Sequence, residues 1–271
     1  MKLTVLGSGA AEAIPDPYCR CEVCQTARRD GGRHIRARSA ALFNDDVLVD
    51  LGPDVISAAS QFRLYLGNLS TILITHNHLD HWLPQNLMWR ESGFTPTPVV
   101  PLTIYGPADV VQGFESDLEK ATDLAYRPVT GGDQWTVGPY RMTAVPATHG
   151  DGKIEALLYV VDDGAHRVFY ATDTSSLSEE AWDILHPLGP FDLILLDATS
   201  GLRSGGNAHH GFEQFVETRA RMIAEGLLIH TKTTLVAHHF SHNGGLTHTA
   251  LVDKYTPYDV RVSYDGLVFS L

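Results

Sequence analysis

Between residues 76 and 81 the chain reads His-Asn-His-Leu-Asp-His, and His76, His78, Asp80 and His81 are all of the type that binds metal ions. The run Thr71-Ile72-Leu73-Ile74-Thr75 ahead of them is apolar and β-branched, which reads as a buried strand. In an extended exit from such a strand, side chains two apart share a side, so His76 and His78 can grip one cation together. Asp80 and His81 fall one step further, where the backbone turns, and can face a second cation beside the first. Imidazole with carboxylate suits zinc, manganese or iron rather than calcium. The bland reading is a histidine-rich surface turn, and four ligand-type residues at one strand exit argue against it.

A second constellation lies near the N-terminus. Cys19, Cys21 and Cys24 are the chain's three cysteines, spaced Cys-Xaa-Cys-Xaa-Xaa-Cys. Three thiolates so close can fill three corners of a tetrahedral zinc site, which then needs a fourth ligand. His242, in HHFSHNGG, is the best candidate and would staple the N-terminal loop to a C-terminal strand, as a structural zinc does; His34 is the local competitor. Three free buried thiols is the alternative. An odd, tightly clustered set argues against a disulfide framework and for a reduced, cytoplasmic setting.

The elements that must position these groups alternate along the chain. Strands are expected at 2–7, in a hairpin over 40–49, and at 71–75, 102–105, 140–145, 155–161, 167–171, 191–196, 233–237 and 266–270. Helices are expected near 54–66, 82–91, 108–121, 178–186, 211–225 and 247–254. Alternating elements with strand-rich stretches in each half suit an α/β, four-layer architecture: two mixed sheets face to face with helices outside, an αββα sandwich. No composition break marks a linker, so residues 1–271 are expected to form one domain. MKLTVLGSGAAE lacks the long apolar core of a signal peptide, and no stretch approaches membrane-span length. With 44% hydrophobic residues the composition is that of a soluble globular protein. A net charge of −12 leaves no general attraction for phosphate backbones or anionic membranes.

The His-Xaa-His-Xaa-Asp-His string resembles the signature of the metallo-β-lactamase superfamily. That resemblance implies three further ligands from later strand ends, a histidine, an aspartate and a last histidine. His149 in VPATHG, Asp173 in FYATDT and His239 in TTLVAHHF supply them in that order. One metal, manganese or zinc, would take His76, His78 and His149; the other would take Asp80, His81 and His239, with Asp173 bridging. His238 is expected to point to the opposite side. Two such cations about 3.5–4 Å apart make a hydroxide available at neutral pH and stabilise both oxygens of a displacement.

A cysteine trio after a GSGAAE turn, the complete ligand string and a final His-Phe-Ser-His together resemble, over essentially the whole chain, the PhnP family of phosphoribosyl cyclic phosphodiesterases. The resemblance implies that His242 completes the structural zinc and that a histidine in SGGNAHHGFEQF assists catalysis. His210 is the aligned residue, as proton donor to the leaving alkoxide, with His209 as the alternative. Asp80 would double as the group that orients or deprotonates the attacking water. Arg203, in the same glycine-rich loop, is weighed against a solvent-facing arginine as the holder of a terminal phosphate. The expected function is metal-dependent hydrolysis of a small cyclic phosphate or phosphodiester by a metal-bridging hydroxide. The expected partner is that small molecule, without nucleic acid or membrane and with a homodimer allowed. The alternatives are an RNA-processing nuclease or thioester hydrolase of the same superfamily, and a non-catalytic relative of the pyrroloquinoline quinone biosynthesis protein B.

Overall fold

The structure is a computed structural model, and it describes residues 1–112, 114, 123–150 and 154–271. Strands β1 (Lys2–Gly7), β2 (Ala40–Phe43), β3 (Val47–Val49), β4 (Thr71–Leu73), β5 (Leu102–Gly106) and β6 (Leu124–Pro128) form one sheet. The other contains β7 (Gln134–Val137), β8 (Tyr140–Pro146), β9 (Leu157–Asp162), β10 (Arg167–Ala171), β11 (Leu193–Asp197), β12 (Thr234–His238) and β13 (Val260–Val262). With β14 (Val268–Ser270) at the first sheet's edge, the orders are β14-β1-β2-β3-β4-β5-β6 and β13-β12-β11-β10-β9-β8-β7. β3 to β6 pair in parallel, as do β10 to β13, and the rest of each sheet is antiparallel.

Period-2 alternation decides which side chain faces which layer. In β11, Leu193 and Leu195 join Leu3, Val5, Phe43, Met142 and Tyr170 in the core between the sheets. Ile194 and Leu196 point the other way, against Val23, Trp182, Phe215 and Leu251. Those residues come from helices α1 (Glu22–Asp30), α3 (Glu179–Leu185), α4 (Phe212–Ala224) and α5 (His248–Tyr255), while α2 (Val55–Phe62) covers the outer face of the first sheet. A strand buried on both faces reads as a continuous apolar run, which is why β11 has no polar alternation. Each fully buried leucine contributes about 1.5–3 kcal/mol. The expected αββα sandwich is the one observed.

Some expected elements differ. Residues 82–91 form 3-10 turns over Pro84–Arg90 instead of an α-helix, and only Leu87 among Pro84–Arg90 is buried, so no apolar stripe supports a longer helix. Of the expected helix 108–121, Ala108–Val111 is a 3-10 turn, and positions 113 and 115–121 lie outside the described residues. The cysteine segment reads as a loop in sequence but carries α1, whose Val23, Cys24 and Ala27 are buried against the second sheet. Among the described residues no helix is long and apolar enough to cross a membrane.

The parallel strands aim their C-terminal ends at one rim, where loops carry the chemistry in layered α/β folds. Asp50, Asp173 and His239, each one or two residues past such a strand, adopt left-handed backbone (φ 63°, 57° and 63°). Non-glycine residues rarely hold that conformation, and three together at one rim mark a place where packing enforces an unfavourable turn. Gly52 permits the close approach of the ligand loop: a Cβ there would lie 1.9 Å from the Asp80 carbonyl oxygen.

Candidate metal centre

The exit of β4 brings His76, His78, Asp80 and His81 to the rim, and the ends of β8, β10 and β12 bring His149, Asp173 and His239 to meet them. Ligand atoms of His76, His78 and His149 lie within 4.8 Å of one another, and so do those of Asp80, His81, Asp173 and His239. His78 Nδ1 is 2.8 Å from His76 Nε2 and 3.4 Å from His149 Nε2. Asp173 sits between the two groups. Its Oδ2 is 3.5 Å from His76 Nε2 and 2.6 Å from His81 Nε2, and its Oδ1 is 3.2 Å from His239 Nδ1.

The donor atoms fit cations better than they fit one another. His81 Nε2, Asp173 Oδ1 and His239 Nε2 are buried without a hydrogen-bond partner. The 2.6 Å between His81 Nε2 and Asp173 lacks hydrogen-bond geometry, so proximity there is convergence on a centre rather than a bond. His81 Nδ1 donates to Asp50 Oδ2 at 2.7 Å, which turns Nε2 toward the Asp80 and Asp173 carboxylates. Burial opposes a charge on His81, yet Asp173 and Asp50 outweigh it and hold its pKa well above the usual imidazole value. The pocket demands positive charge at that nitrogen. Burial lifts Asp80 and Asp173, but the adjacent His81, with the charge of His239 leading for Asp173, overcomes it and keeps both well below the ordinary carboxylate range. Burial, reinforced by neighbouring histidines, pushes His76 and His78 down, leaving neutral imidazoles with the lone pairs that metal ligation needs.

Around these seven groups lies a set of orienting side chains that sequence reasoning did not single out. Asp50, fully buried at the end of β3, accepts from Thr75 N (2.8 Å) and Thr75 Oγ1 as well as from His81. Asp197, the last residue of β11, accepts from the backbone N–H groups of Thr199 (3.0 Å) and His210 (3.1 Å) and from Thr199 Oγ1. Each is the first acidic residue after a continuous apolar strand, the one local signal that marked it. Such partners fix ring orientation and ligand basicity.

The two adjacent histidines of the 201–211 loop separate. His210 is a correction to the sequence expectation: its ring is fully buried, packs at 6.5 Å from Phe215, and places Nε2 2.9 Å from Thr218 Oγ1. The start of α4 turns it inward, away from the ligands. His209 faces the site, with Nδ1 3.1 Å from Asp197 Oδ2 and 3.3 Å from Asp173 Oδ1. Burial opposes its charge, but the hydrogen bond and charge of Asp197 prevail and push its pKa up to about 9. His238 turns the other way, as expected, into a buried network with Ser39 Oγ and Ser263 Oγ at 2.9 Å each.

The ligand cluster floors a cavity of about 460 Å³ whose walls include Glu12, Ser200, Arg203, Ser204, Ser241 and Asn243. Arg203 is exposed, and among the described residues it is the one Lys or Arg side chain on this wall. A larger groove of about 630 Å³ beside Arg36, Arg38 and Tyr264 contains none of these seven ligand residues. Cys19, Cys21, Cys24 and His242 form a separate group with ligand atoms within 4.8 Å, and Cys21 Sγ is 3.5 Å from His242 Nδ1. His34 is not in that group and instead lies edge-on to His248, ring centroids 5.9 Å apart. His242 also lies 3.5 Å from Glu12, so the thiol cluster and the cavity wall share a loop.

Residues 45–231 match a family model described as the beta-lactamase superfamily domain, and the chain belongs to the metallo-β-lactamase superfamily of hydrolases. The matched segment holds His76 to His209 and leaves out the cysteine trio, His239 and His242. Ribonuclease Z of Mycobacterium avium is 26% identical over 264 residues, covering 88% of each chain. A stretch of 87 residues, 30% of this chain, is 33% identical to an octanoyltransferase of Porphyromonas gingivalis and spans only 16% of that longer protein. Among solved structures, a new diphosphatase from the PhnP family superposes with a TM-score of 0.77 at 21% identity, covering 100% of this chain and 97% of its own. Zinc-bound PqqB from Methylobacterium extorquens gives 0.72 at 18% identity, covering both chains fully. At such identities these neighbours establish the shared fold.

Proposed function

We propose that this protein is a two-metal phosphodiesterase that hydrolyses a small cyclic phosphate or phosphodiester. The observation that carries the reading is the joint presence, on one floor, of two ligand groups with Asp173 between them and of a histidine, His209, held against Asp197 at their side. His76, His78 and His149 would hold one cation and Asp80, His81 and His239 the other. Divalent metals bound there supply Lewis acidity toward phosphoryl oxygens and a nucleophile at neutral pH.

The chain's own residues account for the rest. Asp50 and Asp197 fix the orientation of the His81 and His209 rings. His209, with Nδ1 engaged by Asp197, has Nε2–H left to donate to the leaving alkoxide. Asp80, which lines the cavity, would orient the attacking water, and Ser200, Ser204, Ser241 and Asn243 offer hydrogen bonds to a polar substrate. Arg203 would meet a charged group of the substrate remote from the scissile bond. A cavity of about 460 Å³ suits a molecule of nucleotide size. Three thiolates and an imidazole suit zinc in a closed, structural site at Cys19, Cys21, Cys24 and His242.

The likeness to ribonuclease Z favours a second reading, an RNA-processing nuclease. The net charge of −12 weighs against it, since RNA binding rests on basic patches. Assaying manganese- or zinc-loaded protein on bis-p-nitrophenyl phosphate, a 2′,3′-cyclic nucleotide and precursor tRNA separates the two. Hydrolysis of the small diesters with intact tRNA is expected. Cleavage of tRNA alone would establish the nuclease, and no turnover by loaded protein would dismiss both.

A further inference from the structure

One side chain outside the ligand set touches two of the segments that build the centre and reaches a third through Ser175. Gln214 lies in the first turn of α4, at the third helical position after Gly211. Its Oε1 accepts from the N–H of Gly205 at 3.0 Å and from that of Gly211 at 3.1 Å, in the middle and at the end of the loop that bears Arg203 and His209. Its Nε2 donates to the Gly206 carbonyl at 3.2 Å and to Ser175 Oγ at 3.3 Å.

Ser175 extends the connection. It follows Asp173 by two residues, its Oγ donates to the Gly206 carbonyl at 2.7 Å, and its N–H donates to the Thr148 carbonyl at 2.7 Å, one residue before His149. The loop returns the contact directly: the Ala208 carbonyl lies 3.1 Å from His149 Nδ1, which fixes the proton there and leaves Nε2 free for ligation. The packing leaves no slack, because a Cβ on Gly205 would lie 1.7 Å from the His209 carbonyl oxygen and 2.5 Å from Gln214 Oε1.

We infer that Gln214 is a positioning residue: it clamps the 201–211 loop so that Ala208 orients His149 and His209 stands beside Asp173. Its four hydrogen bonds exceed what a helix cap requires, and three of them serve groups outside the helix end. The kinetic part of the inference rests on the phosphodiesterase reading; the structural part does not.

The test compares wild type with Gln214→Met, which keeps length and loses all four bonds, and Gln214→Glu, which keeps the acceptor for Gly205 and Gly211. Backbone hydrogen exchange over 201–211 is measured with manganese present, alongside kcat and KM on bis-p-nitrophenyl phosphate. Gln214→Met is expected to speed exchange in this loop, with core exchange unchanged, and to lower kcat about 10–100-fold with little change in KM. Gln214→Glu is expected to restore protection at Gly205 and Gly211 and to recover part of kcat. Wild-type exchange in Gln214→Met would overturn the clamp. Faster exchange with unaltered kcat would overturn its role in positioning the reacting groups. If wild type itself turns nothing over, the phosphodiesterase reading fails while loop exchange and manganese affinity at the His149 site still decide the clamp: wild-type values for both in Gln214→Met would refute it.

Discussion

His209 Nδ1 lies 3.1 Å from Asp197 Oδ2, and this contact rather than any property of His210 gives the 201–211 loop its place in the proposed chemistry. Replacing His209 by Ala is expected to lower kcat on a phosphodiester about 10²–10⁴-fold with KM nearly unchanged, the size typical of a lost proton donor. His210→Gln is expected to act on stability, costing about 1–3 kcal/mol through its buried contact with Thr218, and to leave kcat near wild type. Parallel kinetics and denaturant titrations read both. The reverse pattern would assign the proton donor to His210.

Asp50 touches no substrate, yet it holds His81 at 2.7 Å. Asp50→Asn weakens that acceptor, and manganese affinity at the dinuclear centre is expected to fall about 10–100-fold, measured by competition with a chelating dye. Unchanged affinity would mean that His81 needs no such partner.

The cysteine trio and His242 bear on stability. Cys24→Ser is expected to remove about one equivalent of zinc, measured by elemental analysis, and to lower Tm by about 5 °C or more, given about 2–4 °C per kcal/mol in a chain of this size. Zinc retained at wild-type stoichiometry would argue against a site there.

His248 gives the protein a pH dependence separate from the metals. Its Nδ1 is 3.0 Å from the Arg36 guanidinium, and burial, with Arg36, His34 and Arg33 nearby, pushes its pKa down to about 4. The unfolded chain takes up this proton near pH 6.5 and the folded chain only near 4, so stability present above 6.5 is lost as pH falls through that window. Discounted for its half-exposed position, the loss is about 1–2 kcal/mol. Thermal melts between pH 4 and 7 are expected to slope less in His248→Gln than in wild type, and equal slopes would rule His248 out as the source.

Arg203 sets preference among substrates if it meets a second anionic group. Arg203→Met is expected to lower kcat/KM about 10–100-fold for a cyclic nucleotide carrying an additional 5′-phosphate, the weight of a charge-assisted hydrogen bond, while sparing bis-p-nitrophenyl phosphate. An equal loss on both substrates would place Arg203 in some other role.

The architecture was readable because period-2 apolar runs such as Leu193 to Leu196 and the helical spacing of Val55, Ile56, Ala59 and Phe62 are local signals. His76 to His81 was readable for the same reason, since one strand exit carries all four groups. His149, Asp173 and His239 were placed by resemblance, because nothing local distinguishes them from other loop residues. Asp50 and Asp197 stayed hidden because their work is to orient ligands that other strands deliver. The choice between His209 and His210 was also out of reach: adjacent residues entering a helix have no fixed periodicity, and only the Thr218 contact inside α4 shows which ring turns inward. The segment Pro84–Arg90 misled because helix-like spacing without a buried stripe gives tight turns instead.

Manganese titration of metal-stripped protein, with turnover of bis-p-nitrophenyl phosphate followed at each addition, addresses the dinuclear centre most directly. Manganese suits imidazole and carboxylate ligands and not the thiol cluster, so its binding reports on the pocket alone. Activity is expected to rise to a plateau as two equivalents bind, and to vanish in Asp173→Asn, which loses the carboxylate proposed to bridge the two groups. Two equivalents bound without turnover, or full turnover in Asp173→Asn, would contradict a phosphodiesterase built on these seven side chains.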